Sequence, residues 1–411
     1  MNSEETYVIV GASLAGATAA ETLREDGFPG RIVLIGAETE LPYERPPLSK
    51  SYLLGTAERA TIYLHDEHWY GEKSVELMLG RRATRLDRRA HEVELDDGQR
   101  IGYNKLLLAT GASPRRLRLP GGDLDGVHYL RRVEDSDRLR ETIRGGGRVV
   151  VVGGGWIGLE TAAAAREYGC DVTVIDPQPT PLLAALGSEM GEFFAGLHRQ
   201  HGVDLRLGRS VTSLGGRGRV SSVTTDDGGE FPADAVIVGI GARPNTELAE
   251  QSGLSCDNGI VVDQSLRTDD PDVYAVGDVA SSFSPLYGTQ IRVEHWANAL
   301  QGGPVAAKAM LGRQVTHDHL PYFFTDQYDL GMEFSGWLGT DGYDQLVTRG
   351  DVDGRAFHAF WLGDHRVIAG MHVNLWNDGV EPIQELIRSG RPVDPDRLAD
   401  TSVPLIELLK A

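Results

Sequence analysis

Gly153, Gly155 and Gly158 have the spacing G-x-G-x-x-G, and an acid, Asp176, follows about 20 residues beyond the last glycine. Residue types in that order hold a dinucleotide. The first glycine permits a tight turn, the second lets the backbone approach a pyrophosphate, and the third lets a helix pack on a strand. The acid then meets a ribose 2′-hydroxyl. Such a loop works only between a buried strand and the start of a helix, whose free N–H groups and positive dipole end face the phosphates. The flanking residues meet that demand. Val149 to Val152 are four consecutive valines, a strand buried on both faces. Leu159 to Tyr168 is Ala-rich and helical, Gly169 stops it, and Asp171 to Asp176 is the next strand.

The N-terminal residues repeat this unit. Tyr7 to Val10 is a strand, Gly11 to Gly16 a turn, Ala17 to Glu25 a helix, and Arg31 to Gly36 a second strand followed by Ala37 and Glu38. Ser13 replaces the middle glycine; it is small, so close backbone approach survives. Glu38 is placed to meet a ribose. Two such units predict two dinucleotides bound together, most simply a flavin dinucleotide and a nicotinamide dinucleotide.

At 411 residues the chain is long enough for two or three domains. Its 51 glycines and 41% hydrophobic content fit an α/β protein rich in tight turns. A net charge of −20 argues against nucleic acid as a general partner. No apolar run reaches the roughly 18 residues of a membrane span, and no signal segment precedes the first strand. The cysteines, Cys170 and Cys256, are far apart, which excludes a disulfide framework and points to a reducing cytoplasm. The spacing His317-x-His319 lacks further ligands nearby, so no metal is expected.

Between the two units, Leu41 to Lys50 is a stiff, proline-rich entry in which Ser49 reads as a helix start. Lys105 to Leu108 and Ala235 to Val238 read as buried strands, with Thr110-Gly111 and Gly239 to Asn245 as their turns. Asp272 to Ala280 reads as a strand, a Gly-Asp pair and a helix start, and Arg292 to Ala299 opens another helix. Beyond His317 the pattern becomes that of an antiparallel sheet, with strands over Tyr328–Leu338, Gln345–Arg349, Arg355–Leu362 and Val367–Val373, then helices over Asn377–Ser389 and Pro404–Lys410.

These stretches together resemble the NADH-dependent ferredoxin reductases of the putidaredoxin reductase type. The most specific are Pro42 to Lys50, Ala109-Thr110-Gly111, Gly153 to Glu160, Gly239 to Asn245, Tyr274 to Asp278, and Glu294-His295-Trp296 with Asn298, Ala299 and Gln301. The resemblance implies a glutathione-reductase-like α/β fold: two Rossmann-like dinucleotide-binding domains plus a C-terminal α+β interface domain. FAD-binding parts would span 1–109 and 241–316, the NAD-binding domain 110–240 and the C-terminal domain 317–411. FAD and NADH would be the cofactors, the flavin accepting a hydride and returning electrons singly to an iron–sulfur ferredoxin that serves a cytochrome P-450 or a Rieske oxygenase.

By the same resemblance, Gly11 and Gly16 would hold the FAD pyrophosphate, Glu38 its ribose, Arg131 the dinucleotide, Asp278 the ribityl-pyrophosphate part and Trp296 the flavin ring. Arg45 and Lys50 would lie near the flavin. Gly155, Gly158, Glu160 and Asp176 would serve NADH. Ser13, Ala15, Ala83, Thr110, Gly111, Gly153, Ile157 and Gly241 complete the expected cofactor contacts. Lys50 and Glu160 are the expected catalytic residues, an ion pair at the nicotinamide with Lys50 coming from the flavin domain. Apart from any motif, Arg45, Arg292, Lys308 and Arg313 are candidates for a basic docking patch that steers an acidic ferredoxin, with Phe324 as its aromatic contact. The chain departs from the pattern at Ala37, where an acid is frequent, and in Tyr322 to Gln327, which lacks a tryptophan. The redox C-x4-C of the disulfide reductases is absent. The competing readings are a rubredoxin reductase, an NADH oxidase, or a redox-sensing flavoprotein like the apoptosis-inducing factors.

Overall fold

A computed structural model describes residues 5–339 and 342–409. The chain divides into two compact units, each assembled from three stretches. The first is Met1–Glu44, Ile62–Ser113 and Pro244–Phe323; the second is Arg45–Thr61, Pro114–Arg243 and Phe324–Ala411.

The first unit is built on a five-stranded parallel sheet in the order Val273–Ala275, Lys105–Leu108, Thr6–Val10, Arg31–Gly36, Val75–Leu79. Beyond their first residues its inner strands are apolar because both faces are covered; Val8, Ile9, Val33, Leu34, Leu106 and Leu107 have no exposed surface. Helix Leu14–Glu25 lies against helix Trp296–Met310. Their approach is so close that a Cβ on Gly303 would fall 2.1 Å from Thr18 Oγ1.

The second unit repeats the arrangement. Its parallel sheet runs Asp204–Leu207, Asp171–Asp176, Arg148–Val152, Ala235–Val238, Val127–Tyr129. In both sheets the strand that leads into the glycine loop is central, which sets that loop at the carboxyl end of the sheet. The second unit also carries a C-terminal sheet in the order Tyr322–Gln327, Leu330–Gly336, Arg366–Val373, Ala356–Gly363, Gln345–Asp351, with helix Glu381–Ser389 packed on it.

Several elements differ from the expectations above. Tyr322–Gln327 is a strand, and the expected strand from Tyr328 begins at Leu330, after a turn in which Tyr328 has φ +57°. The run hides its strand character because Thr325 and Gln327, both buried, are polar. Gly277–Val279 is one 3-10 turn followed by strand Ala280–Ser284, which pairs with Ile260–Val262 and Thr289–Arg292, so no helix starts there. Pro46–Ser49 is also 3-10, and Ser49 ends it instead of starting a helix. The helix expected from Asn377 starts only at Glu381, because Gly379 at φ +67° cannot be helical. The last helix is Leu405–Leu408; Lys410, its expected end, lies outside the described residues.

Candidate functional site: two glycine loops and a buried ion pair

In the first unit, three carboxyl strand ends converge on the start of helix Leu14–Glu25. Gly11, at φ +124°, is pressed against the neighbouring strand end: a Cβ there would lie 2.0 Å from the Ala109 carbonyl oxygen. A Cβ on Gly16 would lie 2.0 Å from the Gly11 carbonyl, so helix and loop meet with no room for a side chain. From the third strand end, Gly277 packs beside Ala15, which brings the Asp278 turn to the same helix. Ser13 is the N-cap but makes no side-chain capping bond. The N–H groups of the first turn are thus left for a ligand, and an anion is what they favour.

Around this loop, Tyr43 donates its hydroxyl to Glu38 at 2.5 Å. Thr110 donates to the Asn245 carbonyl at 2.8 Å, while the Asn245 amide returns a bond of 2.8 Å to the Thr110 carbonyl. Gly111 has φ +66°, and its carbonyl accepts the Asn245 N–H. Trp296 opens its helix and donates Nε1–H to Glu44 at 3.3 Å. Ala83 begins the strand Ala83–Asp87 of a small antiparallel sheet, just after Gly80 and Arg81, whose N–H groups donate to the carbonyls of Glu38 and Gly36.

The second unit shows the same cradle with a more open middle. Gly153 has φ +107°, and a Cβ would lie 2.3 Å from the Gly239 carbonyl; at Gly158 it would lie 2.0 Å from that of Gly153. Gly239, absent from the expected contacts, is equally constrained, since its Cβ would meet the Gly158 nitrogen at 3.0 Å. At Gly155 the nearest atom to an added Cβ is the Gly239 oxygen at 3.9 Å. Packing within the protein therefore does not require a glycine at 155. The helix N-terminus that begins here again has no side-chain cap, a setting that favours an anion. Ile157 and Ile240 expose apolar surface at this end of the sheet, and Gly241 follows at φ +87°. Asp176 accepts from the N–H of Gly154 at 2.5 Å and of Gln178 at 2.7 Å. Arg45 donates to the Arg131 carbonyl at 2.5 Å.

Glu160 is the most enclosed acid of the site, at 4% exposure. Stripping a carboxylate of water costs several kcal/mol unless the protein replaces that water. Here Lys50 Nζ lies 2.8 Å from Oε1, the Thr325 hydroxyl donates to Oε1 at 2.7 Å, and the Ser49 hydroxyl donates to Oε2. Lys50 also sits over the Phe324 ring, 5.4 Å from its centre. Nearby, burial pushes the Asp326 carboxyl up, Lys50 opposing this and Glu160 and Glu333 adding to it. Lys50 and Glu160 form the ion pair expected of them. Residues Arg45–Thr61 group with the second unit, so both partners belong to the same unit. Ser49 and Thr325 were not read as site residues, and no local motif marks them.

Other expectations concern charge and thiols. Arg292 is taken up by Glu294, the Asp278 carbonyl and Asn258. Arg313 pairs with Asp26 at 3.1 Å. Two of the four cations expected in the docking patch are therefore ion-paired within the chain. Cys170 is buried, donates to the Ile143 carbonyl, and forms no disulfide. No group of three or more metal-ligating side chains occurs among the described residues.

The pyridine nucleotide-disulphide oxidoreductase family matches residues 5–303, and a reductase C-terminal family matches residues 322–409. The chain is 42% identical to the ferredoxin–NAD(+) reductase component of the anthranilate 1,2-dioxygenase system of Burkholderia cepacia, over 98% of this chain and 99% of that one. It is 38% identical to putidaredoxin reductase of Pseudomonas putida, over 100% and 98% of the two chains. Among solved structures, the covalent putidaredoxin reductase–putidaredoxin complex aligns with a TM-score of 0.95 at 37% identity, covering 100% of this chain and 99% of the other. With both glycine cradles, the C-terminal sheet and these likenesses in place, the chain belongs to the pyridine nucleotide-disulphide oxidoreductase family and, within it, to the putidaredoxin reductase type.

Proposed function

We propose that this protein is an FAD-containing, NADH-dependent ferredoxin reductase, which passes electrons to a small iron–sulfur ferredoxin serving a cytochrome P-450 or a Rieske dioxygenase. The observation that carries the reading is the end-to-end likeness to putidaredoxin reductase, which includes the C-terminal region as well as the dinucleotide units. Bound flavin supplies the redox chemistry. The chain's own residues bind and orient: the Gly11–Gly16 loop takes FAD, the Gly153–Gly158 loop takes NADH, and Glu160 with Lys50 presents a fixed charge pair to the nicotinamide end. Two distant, unpaired cysteines support transfer to a ferredoxin over a thiol–disulfide reaction. We place the protein in the cytoplasm; among the described residues no helix is long and apolar enough to cross a membrane.

The test is NADH-driven reduction of cytochrome c with and without a ferredoxin from the same organism, across a salt series. A large ferredoxin-dependent rate that falls as salt rises is expected, because docking charges are screened over about 8 Å at physiological ionic strength. A rate indifferent to every ferredoxin tried, together with fast oxidation by oxygen, overturns the proposal in favour of an oxidase.

A further inference from the structure

Glu160 stands at the end of a continuous series of side chains that begins at Tyr328. The Tyr328 hydroxyl lies 3.2 Å from His198 Nδ1, His198 Nε2 lies 2.8 Å from Gln327 Oε1, Gln327 Nε2 lies 3.1 Å from Thr325 Oγ1, and Thr325 Oγ1 lies 2.7 Å from Glu160 Oε1. His198, Gln327, Thr325 and Glu160 are each at least nine-tenths buried.

The direction of this series follows from its last member. An ionised carboxylate only accepts, so the Thr325 hydroxyl must spend its one proton on Glu160. Thr325 therefore accepts from Gln327, which has to present its amide N–H₂ to the threonine and its oxygen to His198. His198 then carries its proton on Nε2, and its bare Nδ1 accepts from Tyr328. A neutral imidazole is required throughout, and burial pushes His198 down to about 4. Every bond donates toward Glu160, and reversing any one strands two buried groups. The far end is fixed as well: the Tyr328 ring stacks on His201 at 3.7 Å and 7°.

We propose that Thr325 is a positioning residue for the NADH half-reaction, holding Glu160 in the orientation in which it pairs with Lys50, and that its own hydroxyl is aimed by the Gln327–His198–Tyr328 series. This rests on the NADH-dependent reading above. Thr325 and Ser49 grip the two oxygens of one carboxylate from opposite ends of the sequence. Ser49 belongs to the segment that also carries Lys50, whereas Thr325 belongs to the C-terminal sheet. Thr325 thus anchors the ion pair to an element that has no phosphate loop of its own.

The test uses holoenzyme carrying Thr325→Val, which keeps the shape and removes the hydroxyl. Flavin reduction at saturating NADH, followed by stopped flow, is expected to slow about tenfold, the loss of one hydrogen bond to a charged group, while KM for NADH changes less. Thr325→Ser restores the rate to within about twofold of wild type, and Gln327→Leu, which has no polar hydrogen to donate to Thr325, slows it as Thr325→Val does. FAD content, read from the visible spectrum, stays at the wild-type level. A Thr325→Val rate within about twofold of wild type, a Thr325→Ser variant as slow as the valine, or loss of FAD would overturn the inference. Ferricyanide as acceptor separates this from the functional reading. If wild type reduces ferricyanide but no ferredoxin, the ferredoxin assignment fails while the slow Thr325→Val rate still supports the positioning role. If NADH does not reduce the wild-type flavin at all, both fall.

Discussion

The Asp176 carboxylate accepts the N–H of Gly154 at 2.5 Å, so the acid at the end of the second strand is tied to the glycine loop it serves. Glu38, the acid of the first unit, accepts the Tyr43 hydroxyl. The two fingerprints share a backbone plan but place their acids differently: Asp176 is the last residue of its strand, whereas Glu38 lies two residues past the end of Arg31–Gly36. At Asp176, loop and charge are one assembly, the two oxygens accepting from Gly154 and Gln178.

That arrangement predicts NADH over NADPH, since a 2′-phosphate would meet a fixed negative charge, and Pro177 to Leu182 contain no Arg or Lys to receive it. In Asp176→Asn, one amide N–H₂ must face a backbone N–H. We expect kcat/KM for NADH to fall about tenfold or more, with a smaller loss for NADPH, so that discrimination narrows. Wild-type kinetics that favour NADPH contradict the argument.

The glycines separate folding from binding. Gly158→Ala forces a Cβ to within 2.0 Å of the Gly153 carbonyl, an overpacking that costs about 1–3 kcal/mol and lowers the melting temperature. Gly155→Ala meets nothing closer than 3.9 Å, so the melting temperature without NADH should be unchanged while NADH affinity drops. Gly16→Val, at the matching position of the first unit, should lose FAD. Equal NADH affinity in Gly155→Ala and wild type would show that position 155 does not face the dinucleotide.

Much of this was legible because parallel strands buried on both faces and glycine loops have local signatures: Val149–Val152 and Gly153–Gly158 announce one another. The carboxylate partners were not. Thr325 reaches Glu160 across 165 positions, in a strand whose mixture of aromatic and polar residues shows no alternation. The same holds for Glu333, His372, His358 and Arg349, which lie directly opposite one another on four neighbouring strands. Each reads singly as a surface residue; only the register places them in a row, with the two histidines and Arg349 buried.

Removing Glu160 strands Lys50, which is 13% exposed. Breaking a buried pair in this way costs about 3–5 kcal/mol. Glu160→Ala should therefore melt at a lower temperature and show slow flavin reduction by NADH, with FAD still bound. Stopped-flow reduction as fast as wild type would remove Glu160 from the reaction.

Arg349 clamps the end of the chain. Buried in the C-terminal sheet, its guanidinium donates to the carbonyls of Leu398, Asp400, Thr401 and Val403. Arg349→Met keeps the stem and orphans all four. We expect a loss of about 3 kcal/mol or more, and new protease cleavage between residues 390 and 409. A digestion pattern identical to wild type would mean that the helices on that segment hold it alone.

Stability should also depend on pH through histidines. Burial pushes His198, His295, His317 and His358 from 6.5 down to about 4, and His128 is lowered in the same sense. In the window between those values the unfolded chain holds a proton on each group that the folded chain does not. Unfolding there takes up protons, so stability rises with pH, by about 1.4 kcal/mol per pH unit for each fully displaced proton. The contribution is complete above 6.5 and is lost as pH falls toward 4. Asp326, raised by burial, acts in the opposite sense for one proton, and carboxyls held low, such as Asp234 at about 2, act mainly below this window. Denaturing the holoenzyme in unbuffered urea near pH 5 should therefore consume several protons per chain, and His358→Gln should reduce that uptake by about one. Proton release on unfolding, or an uptake unchanged by the substitution, would show that the buried imidazoles already carry their charge in the folded protein.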